Sequence, residues 1–216
     1  RPLFFSHLQM AQGLSHGDAL AVLQDRQGFV WVATESGLNR FDGREVRVYR
    51  RGGPGSEGLD ADFINGMVED ANGDLWLATL GGGLVRWERR TDRFTAFRHD
   101  EARPDSLASD ALLSVWAAPT GEIWVGTENA GLDRFSPSTG KFQHFPPSKV
   151  DAAALPSGAV FVLAAATKDR LWVGTDAGLA LLDRTSGRVL RRYDRQTRPA
   201  LPDYQIRALH VERDGT

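Results

Sequence analysis

The chain has 216 residues, enough for one sizeable all-β domain or two small ones, and its 41% apolar and 25% charged content is that of an ordinary globular protein. A formal net charge of −2 supplies no field to gather nucleic acid or an anionic membrane, so neither is expected as a partner. The absence of cysteine excludes disulfides and thiolate metal sites but leaves the compartment open. The longest apolar run, residues 159–166, is far short of the roughly 20 residues that span a bilayer. No secretory leader stands at Arg1-Pro2-Leu3, so an export signal is expected to lie outside this chain.

Taken in chain order, the sequence repeats. One motif recurs as Gly28-Phe-Val-Trp31-Val-Ala-Thr34, Gly73-Asp-Leu-Trp76-Leu-Ala-Thr79, Gly121-Glu-Ile-Trp124-Val-Gly-Thr127 and Asp169-Arg-Leu-Trp172-Val-Gly-Thr175. Its tryptophans are 45, 48 and 48 residues apart, and each motif is followed by a Gly-Leu pair beginning at Gly37, Gly83, Gly131 or Gly178. Leu14, Leu59, Leu107, Leu155 and Leu201 each stand 14 residues ahead of the motif's first position, the fifth of which is Gly215.

These landmarks divide the chain into a strand-bearing segment 1–13, four full units at 14–58, 59–106, 107–154 and 155–200, and the start of a fifth at 201–216. Within the second unit, residues 63–69 read as strand a, Asp70-Ala-Asn72-Gly73 as a tight turn, and residues 75–79, 84–88 and 93–97 as strands b, c and d. A period of 45 to 48 residues holding four short antiparallel strands is the mark of a β-propeller blade. The fold class is therefore all-β, a partial propeller of about 4.6 four-stranded blades.

Phe5-Ser-His-Leu8 resembles strand d of later units (Phe94-Thr-Ala-Phe97, Phe142-Gln-His-Phe145), so it is expected to complete a final blade and close a ring. Both ends thus read as interior to a longer protein. The expected partners are its remaining blades or a second copy joined edge to edge.

Trp31, Trp76, Trp124 and Trp172 admit two readings, an aromatic ligand platform or the packing between blades; recurrence at one strand position favours packing. Asp70-Ala-Asn72-Gly-Asp74 invites comparison with a calcium loop, but Leu75 and Gly81 stand where such a loop needs glycine and an acid, so it reads as a turn. The five histidines show no ligand spacing, and no metal or cofactor is expected. Neighbours along a strand point to opposite faces, so Ser15-His16-Gly-Asp18 cannot form a catalytic triad among themselves. Arg40, Arg86 and Arg134 recur two residues after Gly-Leu, which points to a scaffold role bridging strands.

Scaffold positions repeat and binding positions need not. The irregular residues of the b–c loops and d–a connections, which emerge together around the channel mouth, are therefore the candidate ligand-binding set: Glu35, Asp62, Asp110, Glu128, Asn129 and Asp176.

The unit Asp-x-x-Gly-x-(Val/Ile/Leu)-Trp-(Val/Leu)-(Ala/Gly)-Thr, followed by Gly-Leu-x-x-(Phe/Trp)-(Asp/Glu), resembles the two-component regulator propeller repeat. Residues 25–42 fit it throughout, while the fourth unit departs, with Ala166 and Asp169 at the turn and Leu181-Leu182 in place of Arg-Phe. The resemblance implies a seven-bladed ring. It also implies a non-catalytic periplasmic sensor that binds a small molecule or glycan and controls a membrane-bound histidine kinase or diguanylate cyclase. A second class, a propeller enzyme similar to the streptogramin lyases, needs a catalytic histidine on the channel face, for which His16 is the candidate.

Overall fold

The recurring threonine and glycine explain each b–c hairpin. The hydroxyls of Thr34, Thr79, Thr127 and Thr175, all fully buried, donate to the carbonyls of Gly37, Gly83, Gly131 and Gly178 at 2.7–2.9 Å. Each threonine oxygen also accepts a loop amide, from Ser36, Gly82, Ala130 or Ala177. The glycines sit at positive φ, and a Cβ there would lie 2.4–2.5 Å from the carbonyl oxygen of Tyr49, Phe97, Phe145 or Tyr193 on strand d. No other residue fits that backbone and that gap.

The aspartate of the motif shapes the a–b turn. Asp25 Oδ1 accepts the amides of Gln27 (2.9 Å) and Phe29 (3.0 Å), while its Oδ2 accepts the Trp31 indole N–H at 2.9 Å. Asp70 does the same with Asn72, Asp74 and Trp76. One carboxylate therefore fixes both the turn and the rotamer of the tryptophan that follows. In the third unit Ala118 takes that place, and the buried Trp124 Nε1 has no hydrogen-bond partner among the described residues. Trp76→Phe is thus expected to cost about 1–2 kcal/mol more than Trp124→Phe, since only the former abandons a buried acceptor. Paired urea titrations would measure the difference, and equal losses would contradict it.

The computed structural model describes residues 7–55, 57–194, 197 and 204–211. A 3₁₀ turn, Met10–Gln12, precedes sixteen strands in four antiparallel sheets. The first comprises β1 (Ala19–Gln24), β2 (Val30–Thr34), β3 (Gly37–Phe41) and β4 (Val46–Tyr49). The second comprises β5 (Ile64–Glu69), β6 (Leu75–Thr79), β7 (Leu84–Glu88) and β8 (Arg93–Phe97). The third runs β9 (Leu112–Ala117), β10 (Ile123–Thr127), β11 (Leu132–Ser136) and β12 (Lys141–Phe145). The fourth runs β13 (Val160–Thr167), β14 (Arg170–Thr175), β15 (Gly178–Asp183) and β16 (Val189–Tyr193). Each sheet pairs its strands in sequence order, as a propeller blade does. The expected strands b, c and d of the second unit coincide with β6, β7 and β8, and strand a begins one residue later than expected.

In the fourth blade, β13 extends to Thr167 and β14 resumes at Arg170, shortening the turn to two residues. The missing turn aspartate and glycine are the reason. Of segment 1–13, residues 1–6 lie outside the described residues, so the expected closing strand at residues 5–8 falls half outside them; His7 and Leu8 are described, outside any strand. Of 201–216, residues 204–211 are described, outside any strand. There Ile206 N donates to Thr175 O at 2.9 Å, and Ile206 packs against Gly174 as Val160 packs against Gly126.

The blades meet along their inner strands, β1 against β5, β5 against β9 and β9 against β13. Between them lie the tryptophans. Trp31 meets Trp87 of the next blade at 4.7 Å, Trp76 meets Phe135 at 5.6 Å, and Trp124 clusters with Leu182. Trp31, Trp76 and Trp124 are at most 1% exposed, whereas Trp172 is only partly buried. Among the described residues, nothing corresponding to Trp87, Phe135 or Leu182 follows the fourth blade to cover it.

The recurring arginines lie over these rings. Arg40, Arg86 and Arg134 hold their guanidinium carbons 5.5–5.7 Å from the centroids of Trp31, Trp76 and Trp124. They cap the indoles from the adjacent strand, and Leu181 stands opposite Trp172 in the fourth blade.

Candidate ligand-binding face

The b–c loops are laced to the starts of the inner strands. Leu80 N donates to Phe63 O, Glu128 N to Ala111 O and Asp176 N to Ala159 O, within each blade. Gly37 N donates to Asp62 O, Gly81 N and Gly83 N to Asp110 O, and Gly131 N to Gly158 O, across to the next blade. The six candidate residues therefore share one rim, but they do not play one role.

Asp62 and Asp110 occupy equivalent positions, three residues after Leu59 and Leu107. Asp62 Oδ1 accepts the Arg51 amide at 2.6 Å, and Asp110 Oδ1 accepts the His99 amide at 2.7 Å. Asp110 also holds Arg98 through Oδ2 at 3.0 Å. Both carboxylates close their own d–a connections, a repeated duty hidden because the fourth blade has Gly158 in that place. Glu35, Glu128 and Asn129 are exposed at the loop tips. Asp176 is partly buried, and its Oδ1, out of contact with solvent, has no hydrogen-bond partner among the described residues.

Ser15, His16 and Asp18 do not form a relay. The buried Ser15 hydroxyl lies 2.8 Å from Thr34 Oγ1 and accepts from Asn39 Nδ2, while His16 Nδ1 accepts the Asp18 amide at 3.2 Å. Asp70 and Asp74 in the calcium-like turn are likewise engaged, Asp74 with Arg86 at 2.5 Å.

A buried acid–base pair escaped the sequence reading. Asp133 on β11 is fully buried; its Oδ1 lies 2.8 Å from His144 Nδ1, and its Oδ2 accepts the Ala108 amide at 2.8 Å. His144 Nε2 faces the Pro104 carbonyl at 2.9 Å. Both ring nitrogens face acceptors, so the imidazolium satisfies both. Burial pulls the ring's pKa down, but the Asp133 carboxylate and the Pro104 carbonyl outweigh it and raise it above 6.5. Burial pushes the Asp133 carboxyl up, against the hydrogen bonds from Ala108 and His144. The pair pins the 98–110 connection to the third blade. Asn39 pins Ser15 N in the first blade from the corresponding position.

The two component regulator propeller family matches residues 13–36 and 58–81, in the first two blades. The extracellular domain of a hybrid two component system from B. thetaiotaomicron superposes with a TM-score of 0.83 at 27% identity, covering 97% of this chain and 28% of that one. A second such domain from the same organism gives a TM-score of 0.57 at 23% identity, covering 91% of this chain and 30% of that one, a likeness of fold. Histidine kinase P4 of Formosa agariphila is 39% identical over 46 residues, 21% of this chain and 3% of that protein. The chain thus spans under a third of the solved domains and a small part of the kinase. No helix among the described residues is long and apolar enough to cross a membrane.

Proposed function

We infer, from blades that carry the two component regulator propeller repeat, that this chain is part of the extracytoplasmic sensor of a transmembrane signalling protein. The likeness that carries the reading is the hybrid-system extracellular domain, which matches nearly the whole chain at 27% identity. The sensor binds a small molecule or glycan without catalysis, lies in the periplasm, and biases a histidine kinase or diguanylate cyclase across the membrane. Its partners within the protein are the further blades of a seven-bladed ring, and a homodimer is a further expectation.

The ligand sits at the channel mouth. Glu35, Glu128 and Asn129 supply exposed polar groups, Asp176 supplies an unpartnered buried oxygen, and Asp62 and Asp110 hold the rim in shape. A rigid scaffold bearing variable loops is the arrangement on which binding residues are usually found.

A thermal-shift scan of glycans and metabolites against the full-length sensor region tests this. A ligand that raises the wild-type midpoint is expected to lose most of its effect in a Glu128→Ala, Asn129→Ala double variant. An undiminished shift in that variant would remove the mouth as the site.

A further inference from the structure

The opposite face, formed by the a–b and c–d turns, differs from one blade junction to the next. At the first junction Arg89, in the c–d turn of the second blade, reaches back to the a–b turn of the first. Its Nη2 donates to Asp25 Oδ2 at 2.9 Å and its Nη1 to Gln27 Oε1 at 2.8 Å. At the third junction Arg184 occupies the same position, six residues after the Gly of Gly-Leu. It reaches Thr120 Oγ1 at 2.8 Å and Glu122 Oε2 at 3.4 Å. At the second junction that position is Pro137, which has no group to donate.

What remains there is a cleft of about 360 Å³ whose lining includes Asp70, Trp76, Arg86, Thr120, Glu122 and Ser138. Asp70 is the counterpart of Asp25. Asp25 Oδ2 receives both an indole N–H and a guanidinium, whereas among the described residues Asp70 Oδ2 receives only the Trp76 indole. The Asp70 residue is 9% exposed. Arg86 does not supply the missing charge, because Asp74 holds it at 2.9 and 2.5 Å. Nor does a capping arginine preclude a second guanidinium, since Arg40 lies over Trp31 while Arg89 binds Asp25.

We propose that this inter-blade cleft binds a guanidinium-bearing ligand, whose charged head occupies, on Asp70, the place that Arg89 takes on Asp25. The filled first junction is the template for the empty second one. A guanidinium is planar and donates in a fork, the geometry in which Arg89 meets Asp25 and Gln27. The cleft's volume is at the small end for ligand pockets, roughly 300–1,000 Å³, and suits a head group with a short tail. The same chemistry comes either from free arginine or from an arginine side chain of a peptide. The proposal does not depend on the channel-mouth site, which lies on the other face.

The Trp76 indole N–H shares Asp70 Oδ2 with the proposed ligand, so its NMR resonance is the direct readout. The full chain is titrated with L-arginine, with citrulline as the neutral counterpart, and with a short peptide carrying one arginine. The Trp76 resonance is expected to shift saturably with arginine, the peptide or both, whichever responds naming the source, and not with citrulline. The Trp31 resonance, whose acceptor already holds Arg89, stays in place. Arg89→Ala opens the first junction and should make Trp31 respond to arginine as well. Pro137→Arg supplies an internal guanidinium and should weaken binding at Trp76 at least about tenfold. If neither arginine nor the peptide shifts Trp76, if citrulline shifts it equally, or if Trp31 of the unaltered chain moves alongside it, the proposal fails. These readouts need no folded Pro137→Arg protein.

Discussion

Replacing Trp124 with alanine is expected to lower the unfolding free energy by about 3–5 kcal/mol, the scale for emptying an aromatic core site. Trp124 is fully buried, stacks on Phe145 at 5.4 Å and lies beneath Arg134 at 5.5 Å. It packs in one cluster with Leu132, Leu155, Leu171 and Leu182, so its loss opens a void between two blades. Its indole nitrogen makes no hydrogen bond among the described residues, which leaves packing as the source of the loss. Glu128→Ala, at an exposed loop tip four residues on, should cost under about 0.5 kcal/mol. Urea denaturation of both variants decides the matter, and closely similar midpoints would contradict the placement of Trp124 in the core.

The blades were legible because their scaffold chemistry repeats. Each Thr, Gly and Trp of the motif does one fixed job, so the alignment of copies placed strands b, c and d of the second unit without a structure. The recurring arginines were legible as scaffold, though the repeat alone does not say that they cap indoles. The candidate site was harder to read, because the same alignment treats every non-repeating residue as available. Asp62 and Asp110 fail that rule: they repeat in only two blades, yet both close a loop. Contacts between blades were out of reach for a further reason. Asp25 meets Arg89 across a separation of 64 residues, and such a pairing appears only once sheets are stacked. One signal for the inter-blade cleft was nonetheless present, Pro137 standing where Arg89 and Arg184 stand in the neighbouring units.

His144→Gln should destabilise the chain in a pH-dependent way, by about 2–3 kcal/mol at its largest. Removing one member of a buried pair costs roughly 3–5 kcal/mol. The His144 side chain is 33% exposed, which places the loss toward or just below the lower end of that range. The variant strands Asp133, which is fully buried, without its counter-charge. The sign follows from the two shifts. The folded pKa of His144 is raised above 6.5, so its stabilisation is complete below that value and is lost as pH rises through the folded value. Asp133 is also raised, so acidification neutralises it early and removes the charge that His144 answers. The gap between the unaltered chain and the variant is therefore widest between the two folded values, around mildly acidic to neutral pH, and narrows on either side. Denaturation midpoints of both proteins across a pH series give the curve directly. The amide of Ala108, held by Asp133, should exchange faster in the variant within that same window, because the 98–110 connection loses its anchor. A gap that does not change with pH would mean that His144 acts by packing alone, and the ion pair would have no share in holding the third blade's entry.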